Sequence, residues 1–576
     1  MTDLQAVALG EATADLVVRG GHVFLPERGE FQRRDVAVLD GVVATLTDDA
    51  STVTGSETRV IDATGQHVLP GFIDAHTHVD LHQSLEGAAH RMLEGGTTGL
   101  IAECPGVSLV LGADGVTTLL DRTATLPIDV RFTVPPQLFF DTFEPQPGRP
   151  EDREELRALL DHPRIVGVGE TDWIHAVGIE TPATALYDRA AAVGKPVTGH
   201  AAGCRDENLS AFATLIDNDH EAITGDEVIE RVTRGIHTVG RYGTIRDDID
   251  AIAEAAEQVP TRELSLSSDG MWPRDLVSEG YMDVVVQRAI EAGVDPIDAF
   301  RMATLNPARH FGLDDRGSLS PGSVADILVL DELETVSVDT VVAGGDVVVR
   351  GGDALVEPMQ PDYPDSFYET ATVSREPDRY RVSSDAVSGD AVRAVEYVSG
   401  LLTRETREPV VERDGELGAD PDTGLLKATL VERRPHGDGA SFTGFVTGLG
   451  PLRGAVATSM LWEYPGHLVV GSTAAAMQRA LDRVIEMGGG WAAVADGSVV
   501  ADVPLPLAGR CAEMPVEETA AAYETLESAL RDIGMDVERP LLAIQTLTTP
   551  GVPRLRFTAS GYADIRNQRT VTLDPN

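Results

Sequence analysis

Short apolar runs alternate with amphipathic stretches through the middle of the chain, between about residues 71 and 315. Two stretches, 151–160 and 182–193, space their apolar residues as helices do, and they lie between runs typical of buried strands. These strand-like runs are 95–102, 130–134, 165–170, 196–200 and 264–269. Repeated β-α units over roughly 250 residues predict an α/β fold with a closed, TIM-like (β/α)8 barrel. A doubly wound open sheet is the alternative, but no Gly-x-Gly-x-x-Gly follows the first strand.

A second pattern flanks this segment on both sides. Short β-branched runs joined by Gly turns occur before it and return after it, which predicts one composite β-sandwich with the barrel inserted. Farther on, a stretch rich in Asp, Glu, Arg, Pro and Ser precedes mixed strand and helix patterns. The predicted division is 1–68 with 316–358 for the β-sandwich, 69–315 for the barrel, 359–420 for a linker or irregular subdomain, and 421–576 for a C-terminal α/β domain.

Length and composition agree with a globular protein of several domains. The 576 residues are 42% hydrophobic and can bury more than one core. No run reaches the roughly 18 apolar residues of a membrane span, and residues 1–10 lack the features of a signal peptide, so we expect a cytoplasmic protein with no membrane partner. Cys104, Cys204 and Cys511 lie far apart, which indicates isolated thiols.

The formal net charge of -47 excludes one class of partner. Such a surface repels phosphate backbones, so we expect no nucleic acid and a small free molecule as substrate. Lys195 and Lys427 are the only lysines. An acidic, lysine-poor surface is typical of halophilic proteins, in which high ionic strength screens the repulsion between like charges.

A His-x-His pair follows the first apolar strand of the predicted barrel. His76 and His78 lie two residues apart, and side chains at that spacing in a strand point to the same side. Their place is the carboxyl end of the strand, where barrels of this type keep their chemistry. Two neutral imidazoles on a rigid strand suit a divalent ion such as zinc, manganese or iron.

Other imidazoles and carboxylates also stand where candidate strands stop. Each alone has a structural interpretation as a cap or an ion-pair partner, but their conjunction predicts one metal site. The candidate ligands are His76, His78, Glu170, His200, His220 and Asp269. Glu170 between two ions would make a dinuclear centre about 3.5–4 Å across, which lowers the pKa of bound water to about 7. Asp269 is the candidate general base that then becomes the acid.

The remaining candidates have structural interpretations. The histidines expected to be solvated or structural are His162, His175, His237, His310 and His436. Lys195 precedes its strand, at the wrong end of the barrel for ligation, which disfavours a carbamylated-lysine bridge in favour of Glu170. Trp173 and Trp272 are flat enough to stack on a base, but as lone aromatics they are expected to pack in the protein.

These motifs resemble the bacterial and archaeal adenine deaminases of the amidohydrolase superfamily. The resemblance extends over nearly the whole chain, through motifs at 70–78, 95–98, 167–170, 194–200, 219–221, 301–307, 321–326, 485–490 and 504–509. It implies hydrolytic deamination of adenine to hypoxanthine and ammonia in purine metabolism. It also implies a dinuclear centre of the manganese or iron type, with manganese first, and gives the ligand role to the same six residues.

The departures from the family pattern are concentrated near the expected site. Where the family usually has Ile-Glu-Ser-Ser after the His pair, residues 79–82 are Val-Asp-Leu-His, so Asp80 becomes the candidate substrate-binding acid. The usual Asp-Pro-His-Glu is Glu-Cys-Pro-Gly at 103–106, and Asp-Arg-His-Pro has the looser form Asp-Gly-Met-Trp-Pro at 269–273. In the tail, His-Asp-Ser-His-Asn is Trp-Glu-Tyr-Pro-Gly at 462–466, and Arg434 stands at an expected His.

Three hypotheses of function follow. The first is a metal-dependent aminohydrolase acting on adenine or a close aminopurine, with a purine base as partner and a homo-oligomer as the expected assembly. The second is a cyclic-amide hydrolase of the dihydroorotase or hydantoinase kind, which would open a ring with the same activated water. The third is a catalytically inactive relative that serves as a binding or scaffold protein.

Overall fold

The computed structural model describes residues 2–140, 150–373, 376, 378–409, 411–433, 439–462, 464–549, 554–567 and 569–575. Three residues singled out from the sequence, Arg434, His436 and Glu463, lie outside this part of the chain.

Eight parallel strands form a nearly closed barrel, as the alternating pattern predicted. They are Phe72–His78, Thr97–Glu103, Asp129–Val134, Ile165–Asp172, Val197–His200, Asn218–Asp219, His237–Arg241 and Leu264–Ser267. The first and last strands meet where the Asp269 amide donates to the His76 carbonyl at 3.1 Å and the Ser268 hydroxyl donates to Asp74 at 2.6 Å. The strands at 218–219 and 237–241 were absent from the prediction, because one is very short and both are polar.

Helices surround the barrel and bury their apolar faces against it. They are Leu85–Glu94, Pro105–Thr123, Pro150–Ala158, Trp173–Ala176, Thr184–Val193, Asp206–Phe212, Gly225–Thr233, Ile249–Ala256, Pro273–Ser278, Met282–Glu291, Pro296–Met302 and Leu305–His310. Side-chain caps fix several starts: the hydroxyl of Ser84 accepts the amide of Gly87, and that of Thr224 accepts the amide of Glu227. Among the described residues, no helix combines the length and the apolar character that crossing a bilayer requires.

The two flanks of the barrel segment build one nine-stranded sheet together. Its strands are Leu16–Leu25, Glu30–Leu39, Val42–Thr47, Arg59–Asp62, His67–Pro70, Ile327–Leu330, Val338–Ala343, Asp346–Arg350 and Asp353–Ala354. The flanks join where the strand at 67–70 pairs in parallel with the first strand and antiparallel with the strand at 327–330. A short helix, Asp3–Ala8, packs on this sheet.

A third sheet, of eight strands, forms the core of the C-terminal part. Its strands are Ala391–Ser399, Leu402–Pro409, Leu426–Glu432, Ser441–Thr447, Ala455–Thr458, Gly466–Gly471, Gly490–Ala495 and Ser498–Pro504. The helices of this part are Asp365–Tyr368, Ala474–Glu486, Val516–Asp532 and Pro540–Thr546. Smaller β elements are the hairpin of Glu412–Arg413 with Glu416–Leu417 and the three strands Leu555–Thr558, Gly561–Asp564 and Arg569–Val571.

The expectation that residues 359–420 form a linker or irregular subdomain needs correction. The strand at 391–399 pairs in parallel with the strand at 441–447, and its hairpin partner at 402–409 forms the edge of the same sheet. Because the edge strand carries mainly exposed charged side chains, it has the composition of a linker although it is regular β structure. The other boundaries given above stay predictions.

Arg510 joins the C-terminal part to the loop that follows the first barrel strand. Its fully buried guanidinium donates to the carbonyl oxygens of Asp80 at 3.1 Å, Leu461 at 2.6 Å and Trp462 at 2.8 Å. Next to it, Cys511–Ala512 pairs in parallel with His82–Gln83. The Arg510 hydrogen bonds and this strand pair therefore fix the C-terminal part at the mouth of the barrel.

Gly106 offers a test of this junction. A Cβ atom added at Gly106 would overlap the Arg510 guanidinium. Gly106→Ala is expected to destabilise the protein by about 1–3 kcal/mol through overpacking, measured as a lower denaturant midpoint. The matched control is Gly418→Ala, whose new Cβ would meet only the Val411 carbonyl oxygen at 3.5 Å. Equal midpoints for the two variants would contradict this role of Arg510.

Candidate metal centre

The first barrel strand aims its two histidines at the centre of the barrel mouth. The strand Phe72–His78 is buried along nearly its whole length, and the His76 ring is only 2% exposed. The centroids of the His76 and His78 rings lie 5.4 Å apart. The alternation of side chains along a strand thus places both imidazoles on the inner face, as the spacing predicted.

The other four predicted ligands gather at the same place, although nearly a hundred residues of sequence separate His78 from the first of them. Glu170 lies near the end of its strand, His200 is the last residue of its own, and His220 follows a third strand directly. Asp269 follows the last strand in a left-handed backbone conformation, with φ +51°.

Glu170 lies between two groups of imidazoles. Its Oε1 atom is 2.5 Å from His200 Nδ1 and 3.0 Å from His220 Nε2. Its Oε2 atom is 3.4 Å from His78 Nε2. The carboxylate therefore has one oxygen directed to each group, as a bridging ligand requires.

Asp269 belongs to the group formed by the first strand. Its Oδ1 atom lies 3.4 Å from His76 Nε2 and 3.6 Å from His78 Nε2. Three overlapping sets have their potential ligand atoms within 4.8 Å of one another: His76 with Glu170 and His220, His76 with His78 and Asp269, and His200 with His220 and Glu221. The sets cover all six predicted residues and add Glu221.

The charges of the cluster favour a cation. Burial alone would raise the pKa of Glu170, but the surrounding imidazoles, above all that of His200, hold it well below its usual range. Burial would lower the pKa of His78, yet the carboxylates of Glu170 and Asp269 raise it to about 10. Burial and the neighbouring His220 instead lower the pKa of His76 to about 4. The cluster therefore keeps Glu170 ionised beside a protonated His78, and a divalent cation would replace that proton.

The donor set fits a divalent metal ion. The Nε2 atom of His76 is buried, faces Asp269, and has no hydrogen-bond partner among the described residues. Imidazole nitrogens combined with carboxylate oxygens suit manganese, iron or zinc. Metal coordination would satisfy this buried nitrogen, which forms no hydrogen bond within the described part of the chain.

Charged residues also surround the cluster. The Oε1 atom of Glu103 lies 3.9 Å from His76 Nδ1, and burial together with Glu170 raises the pKa of Glu103 to about 7. Arg241 is buried, forms ion pairs with Glu221 and Asp248, and donates to Asp269 at 3.1 Å.

Two of these neighbours could have been found from the sequence by the strand-end criterion. Glu103 ends the second strand and Glu221 follows His220. Arg241 ends a strand that the sequence pattern did not indicate, so no sequence signal pointed to it.

Asp80 does not lie where the sequence comparison placed it. The residue is 1% exposed, and its Oδ2 atom accepts the amide of Val107 at 2.7 Å and lies 3.7 Å from Arg510 Nε. It is not among the residues that line the cavity over the cluster. This corrects the expectation that Asp80 binds substrate, because its carboxylate is buried away from the cavity and its Oδ2 atom contacts Val107 and Arg510 instead.

The histidines expected outside the site have other surroundings. The rings of His237 and His310 stack with centroids 4.4 Å apart, and His237 Nε2 is 2.8 Å from the Ser265 hydroxyl. The ring of His162 accepts the backbone amide of Arg164 at 3.1 Å. The ring of His175 stacks on Phe140.

A cavity of about 830 Å³, counted with the open space at its mouth, lies over the cluster. The barrel contributes apolar and charged groups to it, and the C-terminal part contributes Leu401, Trp462 and Thr549. The two tryptophans weighed from the sequence do not line it: Trp173 donates to the Ala202 carbonyl at 2.9 Å, and Trp272 packs on His82. The C-terminal part is therefore one wall of the candidate active site.

Comparison with known proteins agrees with this architecture. Residues 67–348 match the amidohydrolase family, and residues 400–569 match the adenine deaminase C-terminal domain. The adenine deaminase of Moorella thermoacetica is 35% identical over 99% of this chain and 97% of its own length. That of Methanothrix thermoacetophila is 33% identical over 99% of both chains. Among solved structures, a beta-aspartyl dipeptidase from Fervidobacterium islandicum aligns with 59% of this chain and 98% of its own at 18% identity and a TM-score of 0.47. From its two matched domains and its full-length relatives, the chain belongs to the adenine deaminase family of amidohydrolases.

Proposed function

We propose that this protein hydrolyses adenine to hypoxanthine and ammonia at a centre of two divalent metal ions. Membership of the adenine deaminase family supports the reaction. The observation that carries the proposal is the convergence of four imidazoles and two carboxylates on one cavity, with Glu170 between the two imidazole groups.

The contacts suggest how the ligands divide. His76, His78 and Asp269 would hold one ion, His200 and His220 the other, and Glu170 would bridge them. Manganese is the ion we expect first, with iron or zinc as alternatives of the same ligand preference. When bound, two such ions activate water by lowering its pKa to about 7 and stabilise charge that develops on the substrate.

Asp269 is suited to move the proton of that water. Its Oδ2 atom accepts a hydrogen bond from Arg241 at 3.1 Å, and its Oδ1 atom faces the His pair. Burial would raise its pKa, but the contacts with His76 and Arg241 hold that pKa below its usual range, so the carboxylate starts as a proton acceptor. It would accept a proton as water adds to the ring carbon bearing the amino group, and would donate it to the departing ammonia.

The two rival functions have less support. A cyclic-amide hydrolase with a carbamylated-lysine bridge would need a lysine at the cluster. Instead, the Nζ atom of Lys195 donates to the carbonyl oxygens of Leu160 at 2.6 Å and His162 at 3.1 Å, in the segment that precedes the Glu170 strand. An inactive scaffold would not require six metal-compatible side chains, three of them buried, around one cavity.

The variant Glu170→Gln tests the proposed role of Glu170 as the ligand shared by the two ions. Replacing one carboxylate oxygen by an amide removes a negative ligand atom, so we expect kcat to fall more than about a hundredfold and bound metal to drop. Activity is measured as ammonia release, and metal by elemental analysis of the same sample. The matched control, Glu257→Gln, changes an exposed residue and should retain both values. Full activity with unchanged metal content in Glu170→Gln would contradict the assignment.

The products of a substrate panel distinguish the rival hydrolases. Protein loaded separately with manganese, iron or zinc is incubated in molar salt with adenine, other aminopurines, dihydroorotate and a hydantoin. We expect hypoxanthine and ammonia from adenine, with the highest turnover in manganese. Deamination exchanges an amino group for oxygen, whereas ring opening adds a whole water and releases nothing, so product masses separate the reactions. Ring opening without deamination would establish the second hypothesis.

We also propose that the acidic surface is an adaptation to high salt. The net charge of -47 makes the surface carboxylates repel one another. This repulsion is screened only when the Debye length falls to a few ångströms, which requires about 1 M salt. The midpoint of thermal unfolding should therefore fall steadily as potassium chloride is diluted from molar concentration. Sucrose at matched osmolality is the control and should not replace the salt. Full stability in dilute buffer would rule out this explanation.

A further inference from the structure

Most polar groups that line the cavity contact partners within the protein; among the described residues, the exceptions are the guanidinium of Arg246 and the indole of Trp462. The imidazoles and carboxylates of the cluster contact one another, and Glu221 and Arg241 form an ion pair. The hydroxyl of Thr549 donates to the Gln545 carbonyl at 3.1 Å. Recognition of a substrate must therefore come from the few groups that remain.

Trp462 is such a group. Its indole lines the cavity, yet its Nε1 atom is buried and has no acceptor among the described residues. An indole N–H can only donate, and buried donors in native proteins are nearly always paired. Its position at the cavity makes a bound ligand the natural source of the missing acceptor.

Arg510 also fixes the position of Trp462 relative to the candidate metal ligands. Two guanidinium nitrogens of Arg510 donate to the carbonyls of Leu461 and Trp462, and the third donates to the carbonyl of Asp80. Asp80 lies two residues beyond His78 in the same chain segment. One buried cation thus ties the tryptophan backbone to the strand that carries the His pair.

A purine base carries ring nitrogens that can accept a hydrogen bond. Hydrolysis brings the carbon bearing the amino group to the metal cluster, so the ring nitrogens face the remaining walls of the cavity. Unsubstituted N3 and N7 are acceptors without a proton. We propose that Trp462 Nε1 donates a hydrogen bond to one of these ring nitrogens and so determines which base is accepted, with Arg510 as the residue that positions it. The inference rests on the proposed aminopurine substrate.

Deaza analogues test the contact atom by atom. In 3-deazaadenine and 7-deazaadenine a C–H group replaces one ring nitrogen each. For the full-length, manganese-loaded protein in molar salt, we expect kcat/KM to fall about tenfold for one analogue, the size of one lost hydrogen bond. Trp462→Phe keeps an aromatic wall but removes the N–H. In this variant we expect kcat/KM for adenine to fall by a similar factor. The variant should then have equal kcat/KM values for adenine and for that analogue.

The controls separate this contact from a general effect on the C-terminal part. Trp491→Phe removes a fully buried indole of the C-terminal sheet that does not line the cavity, and should leave the preference between adenine and the analogues unchanged. Arg510→Met should weaken the preference while metal content stays constant, and Arg510→Lys should restore part of it. Equal kcat/KM values for wild type and Trp462→Phe on all three bases would overturn the proposal.

A binding measurement keeps the inference independent of turnover. Equilibrium dialysis of adenine against wild type and Trp462→Phe should show about tenfold weaker binding to the variant. If wild type releases no ammonia but binding still depends on Trp462, the proposed reaction fails and the contact stands. If adenine is deaminated and both binding and preference ignore the substitution, the contact fails and the reaction stands.

Discussion

The site depends on the contact between buried carboxylates and imidazoles at the barrel mouth. Glu170 faces His78 with one oxygen and His200 and His220 with the other, and Asp269 closes the group beside His76. Such a concentration of ionised groups in a buried place is costly unless opposite charges meet there. In this protein protonation of His78 and His200 offsets part of this charge, whereas burial keeps His76 neutral, and the same electrostatic requirement makes the place attractive to divalent cations.

The barrel positions the side chains of this cluster, and the C-terminal part forms one wall of the cavity over it. Parallel strands end on one face, so candidate ligands from five different strands converge without long side chains. The C-terminal sheet reaches the same face through Arg510, whose guanidinium serves three carbonyl oxygens at once. An apolar residue there would leave those carbonyls without their donor and would loosen the wall that Trp462 forms.

Sequence reasoning succeeded where the signal is local and periodic. The barrel, the helices at 150–158 and 184–193, and the position of the candidate ligands at strand ends follow from alternation, length and position in the chain. It failed where polar residues form regular structure: the strand Asn218–Asp219 is two residues long, and the edge strand at 402–409 carries charges outward. Asp80 was placed in the site by motif comparison alone, and its carboxylate turned out to serve Arg510 and the Val107 amide.

By itself the sequence determined which side chains end the strands, because strand periodicity and the shared carboxyl face of parallel strands do not depend on distant parts of the chain. The acidic surface and the family of the protein were likewise readable from residue identities. Only the tertiary structure decided which groups meet across long separations in sequence: Arg510 with Asp80, Trp462 with the cavity, and Arg241 with both Glu221 and Asp269. The physical reason is that these contacts depend on how whole sheets pack together, which no pattern within one segment records.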